Sequence, residues 1–492
     1  MKIDGICQRF QLSFPDYYTE RARRLSVFEM FLNGEIYDNL SPFYMEYNGS
    51  SGYVPLCERK PSIIFNIYAV IVSQICSFLF GDNHFPSVKC DESNHSGTAA
   101  VLEKIADQSS LKLKMINAVR SGAVGSVAII VKYIKGKYLY EILKTKYLSP
   151  VFEDCDENTL SFLREKIYYS GEELSENGYK IPPENYNKSY CVIREWTNNA
   201  EIYYQPFEKG EDGDDNFKLL IDTQRSCQHN LGFIPVVWIK NPHESKSFQD
   251  GRCLFEDIID IGIEIDYQLS QHGRGLKYNS DPTLVIKDPG RLENEQLIKG
   301  TGALMLGQDG DAKLLQIDGS ATKAVIDYVD KIRQFALEVI RGDRGNPDKL
   351  LSSHSGRALK ILNKAIISLV SELRVSYGDL GLKKIYQMIL KIESCESIEK
   401  FGRDSKIDCD SCCDHLMLDW PSFYEETEEE KQACANTLKT LADAEILSRE
   451  TATKEISQKY NITDVGAERT AIEKDKQEIK DQSPQIKENI NL

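Results

Sequence analysis

Two long amphipathic patterns, separated by a short β-like unit, dominate the middle of the chain and limit what it can build. From Cys253 to about Lys277 the residues Leu254, Phe255, Ile258, Ile259, Ile261, Ile265, Leu269 and Leu276 keep a helical rhythm. Asp257, Asp260, Glu264, Gln268 and Gln271 recur at three- and four-residue intervals and share one polar stripe. The rhythm returns from Ser320 to Ile340, with Val325, Tyr328, Val329, Ile332, Phe335, Ala336, Val339 and Ile340 on the apolar face. About 21 residues at about 1.5 Å each predict a rod of about 32 Å. Between the two, "DPTLVIKDPG", "GALMLG" and "AKLLQI" read as three short strands with Gly, Pro and Asp turns, a small β unit from Asp281 to Ile317.

Behind the second pattern lies "RGDRGNPDKLLSSHSGRALKILNKA" (Arg341 to Ala365). A helical pattern stops at a Gly, Pro and Ser stretch, and a longer one begins at once behind it. That longer pattern runs from Ser355 to Ile392 and is interrupted near Gly378 and Gly381, where a kink is expected. The RGD tripeptide is three common residues, and nothing else in the chain suggests an adhesion protein.

The flanks read differently. Helices are expected over Asp16–Leu32, Ile63–Phe80 and Ala99–Val119, the last broken by Gly122 and Gly125. "VAIIVKYIKGKYLYEIL" (Val127 to Leu143) predicts a hairpin turning at Lys-Gly. Strand-like pieces follow at Ser189–Trp196, Glu201–Tyr204 and Lys218–Asp222, with the acidic run "EKGEDGDDNFK" as a solvated loop between the last two. "HNLGFIPVVWIKNP" (His229 to Pro242) is a short buried strand, entered through Gly232 and closed by Asn241-Pro242. The C-terminal part suggests short helices with Thr427 and Ser448 as N-caps, and beyond Glu468 it is almost wholly polar. The fold class is α+β, mainly helical.

With 492 residues the chain exceeds one ordinary core, so two to four packed units are expected. The formal charge of −16 argues against broad adhesion to nucleic acid phosphates or an anionic membrane, though not against DNA that must slide past. The start, MKIDGICQRFQLSF, has no basic segment before an apolar run, so no secretory signal is expected. Thirteen cysteines without regular spacing fit reduced thiols. The 63–80 stretch approaches spanning length, but Asn66, Ser73, Gln74 and Ser77 line one side, which predicts a buried amphipathic helix and no membrane partner.

No phosphate-binding loop, HExxH pair or GxSxG elbow occurs. "GTGALMLG" is a β turn. The sharpest metal candidate is "CDSCCDHLM", with Cys409, Cys412, Cys413 and His415, whose C-x2-C spacing suits zinc, although a second separated pair is missing. A rival reading therefore makes the chain a cytoplasmic metal-dependent enzyme or zinc-assisted module with Asp257, Asp260 and Cys412 as ligands. The preferred expectation is no enzyme activity, no catalytic residue, no cofactor and no metal.

The order helix, small β unit, helix, loop, long kinked helix and charged helical end resembles the portal proteins of tailed bacteriophages. "IIFNIYAVIVSQICSFLFGD" is similar to the helix near that family's N-terminus, and "HNLGFIPVVWIKNP" resembles its strand before the first stem helix. "SGRALKILNKAIISLVSELRVSYG" resembles the start of its long helix. "ADAEILSRETATKEI" resembles its C-terminal turn, with Ala444-Glu445 in place of the usual glycine. The resemblance spans nearly the whole chain. The short polar tail departs from a long crown barrel, and the Cys409–His415 cluster departs from the family pattern.

The resemblance implies a portal fold with a wing at 1–251, stem helices at 252–279 and 319–342, and a clip at 280–318 between them. A tunnel loop at 343–355 would lead into a kinked channel helix at 356–395, returning wing strands at 396–423 and a crown at 424–492. It implies a homo-oligomeric ring, usually a dodecamer, at one capsid vertex of the virion, assembled in the host cytoplasm. Double-stranded DNA would pass through it during packaging and ejection. Its partners would be terminase, the major capsid protein and scaffold, and a head-tail adaptor. Arg344, Gly345, Asn346, Pro347, Lys349, Ser352, Ser353 and His354 would form the tunnel loop. Asp257, Asp260 and Glu264 would set the channel electrostatics, and Lys287, Arg291, Glu293 and Glu295 of the clip would meet terminase.

Overall fold

The computed structural model describes residues 3–49, 52–81, 83–90, 96–208, 219–242, 248–280, 283–287, 311–315, 319–341, 364–394, 416–423, 428–459, 466–467 and 470–474. The chain divides into two compact units, Met1–Gly345 with Leu362–Pro421, and Asn346–Ile361 with Ser422–Leu492.

The first unit opens on helices that start and stop where their caps dictate. Glu20–Asn33 begins behind Thr19, whose hydroxyl accepts the Ala22 N–H, and ends on left-handed Gly34. Ile67–Phe80 starts later than the apolar run implied, because Asn66 caps it by accepting the Ala69 N–H. Its Ser73 and Ser77 are exposed and its Gln74 half-buried, as the polar side required. The single helix expected over Ala99–Val119 is two, Ser96–Gln108 and Leu111–Gly122, since Ser110 takes a left-handed φ of 53° between them.

Two sheets complete the core. Ser126–Ile134 and Lys137–Leu143 form the expected hairpin, turning at Lys135 (φ 51°) and Gly136 (φ 76°), and Val236–Lys240 adds on the other side. The second sheet runs Cys227–Gln228, Ala200–Tyr203, Ser189–Trp196, Asp156–Ser170 and Leu148–Glu153, with Phe207–Glu208 also paired to Ser189–Trp196. The sequence reading had no strand between 144 and 188. The 15-residue strand Asp156–Ser170 hid because Arg164, Glu165 and Lys166 interrupt its alternation. Leu148, Leu160, Leu163 and Trp196 of this sheet pack against Ala128, Ile130, Val236 and Trp238 of the other.

The charges that masked the strand form a weld. Arg194 stacks 4.2 Å over Trp196, donates Nε to Glu201 at 2.8 Å, and lies 3.3 Å from Glu141 and 3.5 Å from Glu165. Burial alone would raise the Glu141 carboxyl, yet Lys132 and Arg194 hold it below its ordinary value. Of the strand expected at Lys218–Asp222, the described residues 219–222 form only a single bridge, Ile221 to Tyr204, and residues 209–218 lie outside the described residues.

The second unit contributes Glu428–Asp443 and Arg449–Lys459. Ser448 caps the latter as expected, accepting the Thr451 N–H at 3.1 Å, while Thr427 lies outside the described residues. Between the helices Glu445 sits at φ 58°, and the Ile446 N–H reaches back to the Leu441 carbonyl at 3.0 Å. This is a Schellman closure, whose left-handed residue is ordinarily glycine. Here it is a glutamate.

Candidate functional site: the paired helices and their anchor

The helix predicted from Cys253 enters through a tight turn at Glu256–Ile258 and continues as Ile259–Ser280. Its root is fixed by a buried carboxylate. Asp250 receives both Arg21 Nε and Nη2 at 2.7 Å, Arg24 at 3.3 Å and the Ser126 hydroxyl at 2.6 Å. A planar guanidinium matching a carboxylate two-pronged is the geometry that makes such a buried charge tolerable.

One residue along, a Cβ on Gly251 would lie 2.0 Å from the Asn241 carbonyl oxygen, so only glycine fits. Asn241 then gathers three segments. Its Nδ2 donates to the carbonyls of Gly122 (2.9 Å) and Arg252 (3.0 Å), and its Oδ1 accepts the Tyr377 hydroxyl at 2.9 Å. The Asn241 and Gly251 N–H groups both reach the Gly125 carbonyl at 3.0 Å. The sheet, the root of the helix and the long helix behind it thus meet at one amide.

The Ile259–Ser280 helix has two unlike faces. Toward the core, Asp266 accepts the Phe65 N–H at 2.7 Å and the Tyr37 hydroxyl at 2.9 Å, and the Ser270 hydroxyl accepts the Ile63 N–H at 3.0 Å. Burial pushes the Asp266 carboxyl up to about 6, against the pull of the Phe65 N–H and the Tyr37 hydroxyl. Tyr68 donates to the Ile259 carbonyl at 2.7 Å, and its hydroxyl comes so near that a Cβ on Gly262 would lie 2.2 Å from it.

The opposite face carries the predicted stripe. Asp257, Asp260 and Gln271 are exposed, and Glu264 and Gln268 half-buried. Gln268 Nε2 donates to Glu264 at 2.7 Å, and Asp257 pairs with Arg252. The stripe is therefore a water-facing acidic rail on a helix whose back is locked to the body.

The ribbon of Thr283–Lys287 and Asp311–Leu315 pairs antiparallel from Thr283↔Leu315 to Lys287↔Asp311, and returns the chain to Gly319–Arg341. This second helix packs beside the first. Its apolar face is only partly used: Val329 and Ala336 are buried, whereas Tyr328, Phe335 and Val339 stay exposed. The third expected strand, "GALMLG", lies outside the described residues.

The long helix appears as Lys364–Leu373 and Lys383–Ser394, joined by a π-helical segment, Arg374–Leu382. The interruption falls where Gly378 and Gly381 predicted one. A Cβ at Gly378 would stand 2.5 Å from the Trp420 ring, and one at Gly381 would stand 2.7 Å from Ile239. Wider π turns commonly mark working positions in helices. This one places Tyr377 against Asn241.

Of the residues singled out in the sequence, Asp257, Asp260 and Glu264 lie together on one exposed face. Arg344, Gly345, Asn346, Pro347, Lys349, Ser352, Ser353 and His354 lie outside the described residues, as do Arg291, Glu293, Glu295, Cys409, Cys412, Cys413 and His415. Lys287 ends the first ribbon strand. Among the described residues no cluster of His, Cys, Asp and Glu could hold a metal ion, and no helix is long and apolar enough to cross a membrane. Sequence reasoning missed Asp250, Asp266 and Tyr377, because a buried polar group is legible only once its partners are in place.

A mixed α+β body carrying a helical hairpin with a β tip, followed by a long interrupted helix, has a counterpart among known families. The family of phage portal proteins described as SPP1 Gp6-like matches residues 35–483, and the chain belongs to it. A comparison with curated proteins finds no match.

Proposed function

We propose that the chain forms the portal ring of a tailed phage, the conduit for genome packaging and ejection at one capsid vertex. The observation that carries this reading is the helical hairpin: one helix locked to the body with an acidic rail facing water, the other with an exposed apolar row. A ring needs both. An apolar flank joins neighbours, and a charged surface can face DNA without gripping it.

In this reading Ile259–Ser280 and Gly319–Arg341 are the stem, and the ribbon between them belongs to the clip. Lys287, Arg291, Glu293 and Glu295 there would dock terminase during packaging and the head-tail adaptor afterwards. The 343–355 segment is the tunnel loop, in which Arg344, Lys349 and His354 touch phosphates transiently. The two sheets and their helices form the wing, and Glu428–Asp443 and Arg449–Lys459 belong to the crown. The ring, of about a dozen copies by family analogy, assembles in the host cytoplasm with scaffold and major capsid protein and ends in the virion.

Negative-stain electron microscopy with light scattering on the purified full chain tests this. Rings with a central hole and a mass many times 56.0 kDa are expected. A chain that neither assembles alone nor enters capsids when co-produced with scaffold and capsid protein overturns the reading.

A further inference from the structure

The exposed large apolar side chains of the first unit include a run near the N-terminus. Tyr44 (81 % exposed), Met45, Tyr47 (70 %) and Tyr53 stand out in one short stretch, with Ile63 and Phe65 also exposed. Tyrosine and methionine are enriched at the cores of protein interfaces.

This platform is held stiffly. Tyr47 and Tyr53 are partners across a two-residue antiparallel strand pair, with ring centroids 5.9 Å apart. Arg59 is buried between the Phe43 and Tyr53 rings at 5.7 and 5.5 Å and donates to the Phe43 carbonyl and the Tyr53 hydroxyl. The assembly is bolted to the first stem helix. Tyr267 donates to the carbonyls of Cys57 and Arg59 at 3.0 Å each, and Arg274 pairs with Glu46.

The second apolar surface is the row on Gly319–Arg341. Tyr328 (46 % exposed), Phe335 (47 %) and Val339 (50 %) recur at seven and four residues and form one stripe. The helix uses Val329 and little Ala336 against its own subunit and leaves its large side chains outside.

We propose that these two surfaces are the two halves of one contact: the platform of Tyr44, Met45, Tyr47 and Tyr53 of each copy seats on the Tyr328–Phe335–Val339 row of the next. This rests on the ring reading above, because a ring is closed by a head-to-tail contact between two different patches.

Two arguments select this pairing. The first is chemical. The other exposed face of the hairpin is the acidic rail, and pressing Asp257, Asp260 and Glu264 onto an apolar row would strip carboxylates of water without a cation to meet them. The tyrosine platform brings no such cost.

The second argument is geometric. The two helices, of 22 and 23 residues, leave the same ribbon and pack against each other, with Tyr267, Ser270 and Arg274 in the middle turns of the first and Tyr328 and Phe335 in the middle turns of the second. Arg274 meets the platform directly at Glu46, while Tyr267 and Ser270 hold the adjoining stretch through the carbonyls of Cys57 and Arg59 and the N–H of Ile63. The platform and the row therefore lie at overlapping heights on the hairpin. Rotation about an axis along the stem preserves height, so in the proposed ring the platform of one copy can meet the row of the next.

The test is a full-length Tyr47→Cys/Tyr328→Cys double variant treated with a short bismaleimide and resolved on a denaturing gel. The thirteen native cysteines, with Cys57, Cys155 and Cys227 exposed among the described ones, set the background, read from the wild type and each single variant. A ladder of dimers and higher multimers found only in the double variant is the expected result. Phe335→Glu is expected to weaken assembly about tenfold or more, with far-UV dichroism and tryptophan emission unchanged because the ring is already half in water. Rings by microscopy without a ladder, or a Phe335→Glu chain that assembles like wild type, overturn the pairing and leave the ring standing. A wild type that never assembles overturns both.

Discussion

Between pH 3.8 and about 6 Asp266 holds a proton that an unfolded aspartate has released. Its carboxyl is raised to about 6 by burial, against 3.8 for the free side chain, so the folded chain binds this proton more tightly than the unfolded one. The stability it confers is fully present below pH 3.8 and is lost as pH rises through about 6. Asp266→Asn keeps an oxygen for the Phe65 N–H and removes the titration. Relative to wild type, the variant is expected to gain about 2–3 kcal/mol between pH 4 and pH 8. Urea unfolding followed by tryptophan emission measures this, and a difference flat with pH would mean the carboxyl ionises normally. Glu445 is the mirror case, a residue whose backbone is wrong for its side chain. It occupies a left-handed φ of 58°, the position in such a helix closure that ordinarily takes glycine. Glu445→Gly is therefore expected to stabilise the second unit by about 0.5–1 kcal/mol, relief of backbone strain outweighing the entropy of a freer unfolded chain. Hydrogen exchange of the amides in Glu428–Asp443 and Arg449–Lys459 reads it, and unchanged protection would count against the strain.

The π-helical segment shows how an element can be legible in position and illegible in kind. Gly378 and Gly381 marked the interruption, but periodicity cannot say whether a glycine pair kinks a helix or widens it. The answer lies in what approaches them, the Trp420 ring and Ile239, both remote in sequence. Gly378→Ala is expected to force the Trp420 ring aside, cost about 1–3 kcal/mol and shift tryptophan emission; an unshifted spectrum would show the ring has room. The same limit explains the other differences. Caps made of local hydrogen bonds, such as Ser448, were readable, as was the hairpin with its Lys135-Gly136 turn. The Leu148–Glu153 and Asp156–Ser170 strands were not, because their charged residues find partners across the sheet: Arg164 with Glu195, and Glu165 with Arg194. On the functional side the acidic stripe could be read from spacing alone, while the Asn241 anchor could not, since its partners at 122, 252 and 377 are far apart in the chain. For the 343–355 segment proposed as the tunnel loop, deleting Asn346 to Ser353 is expected to leave rings intact and impair DNA packaging or retention. Loss of ring assembly would place that segment in the interface.

At the scale of the whole molecule the charge has to be reconciled with the proposed DNA partner. A chain of formal charge −16 repels phosphates overall, and the proposed ring would multiply that repulsion. For a conduit this is an asset. Each phosphate neutralised by a fixed cation releases counterions and lowers the free energy of that register, so a cationic wall would turn sliding into a series of traps. The exposed rail of Asp257, Asp260 and Glu264 supplies the opposite surface, on a helix that Asp250, Asp266 and Ser270 hold to the body and keep from rotating. Reversing all three carboxylates to lysine changes only exposed or half-buried positions, so the fold and the ring are expected to survive. The altered rings should then retain linear duplex DNA at low salt, lose it steeply as salt rises, and package more slowly than wild type. Filter binding across a salt series, with packaging of the same variant, separates the possibilities. Salt-dependent retention with slowed packaging puts the rail in the channel, whereas unchanged packaging by well-formed rings puts it on the outer wall of the stem.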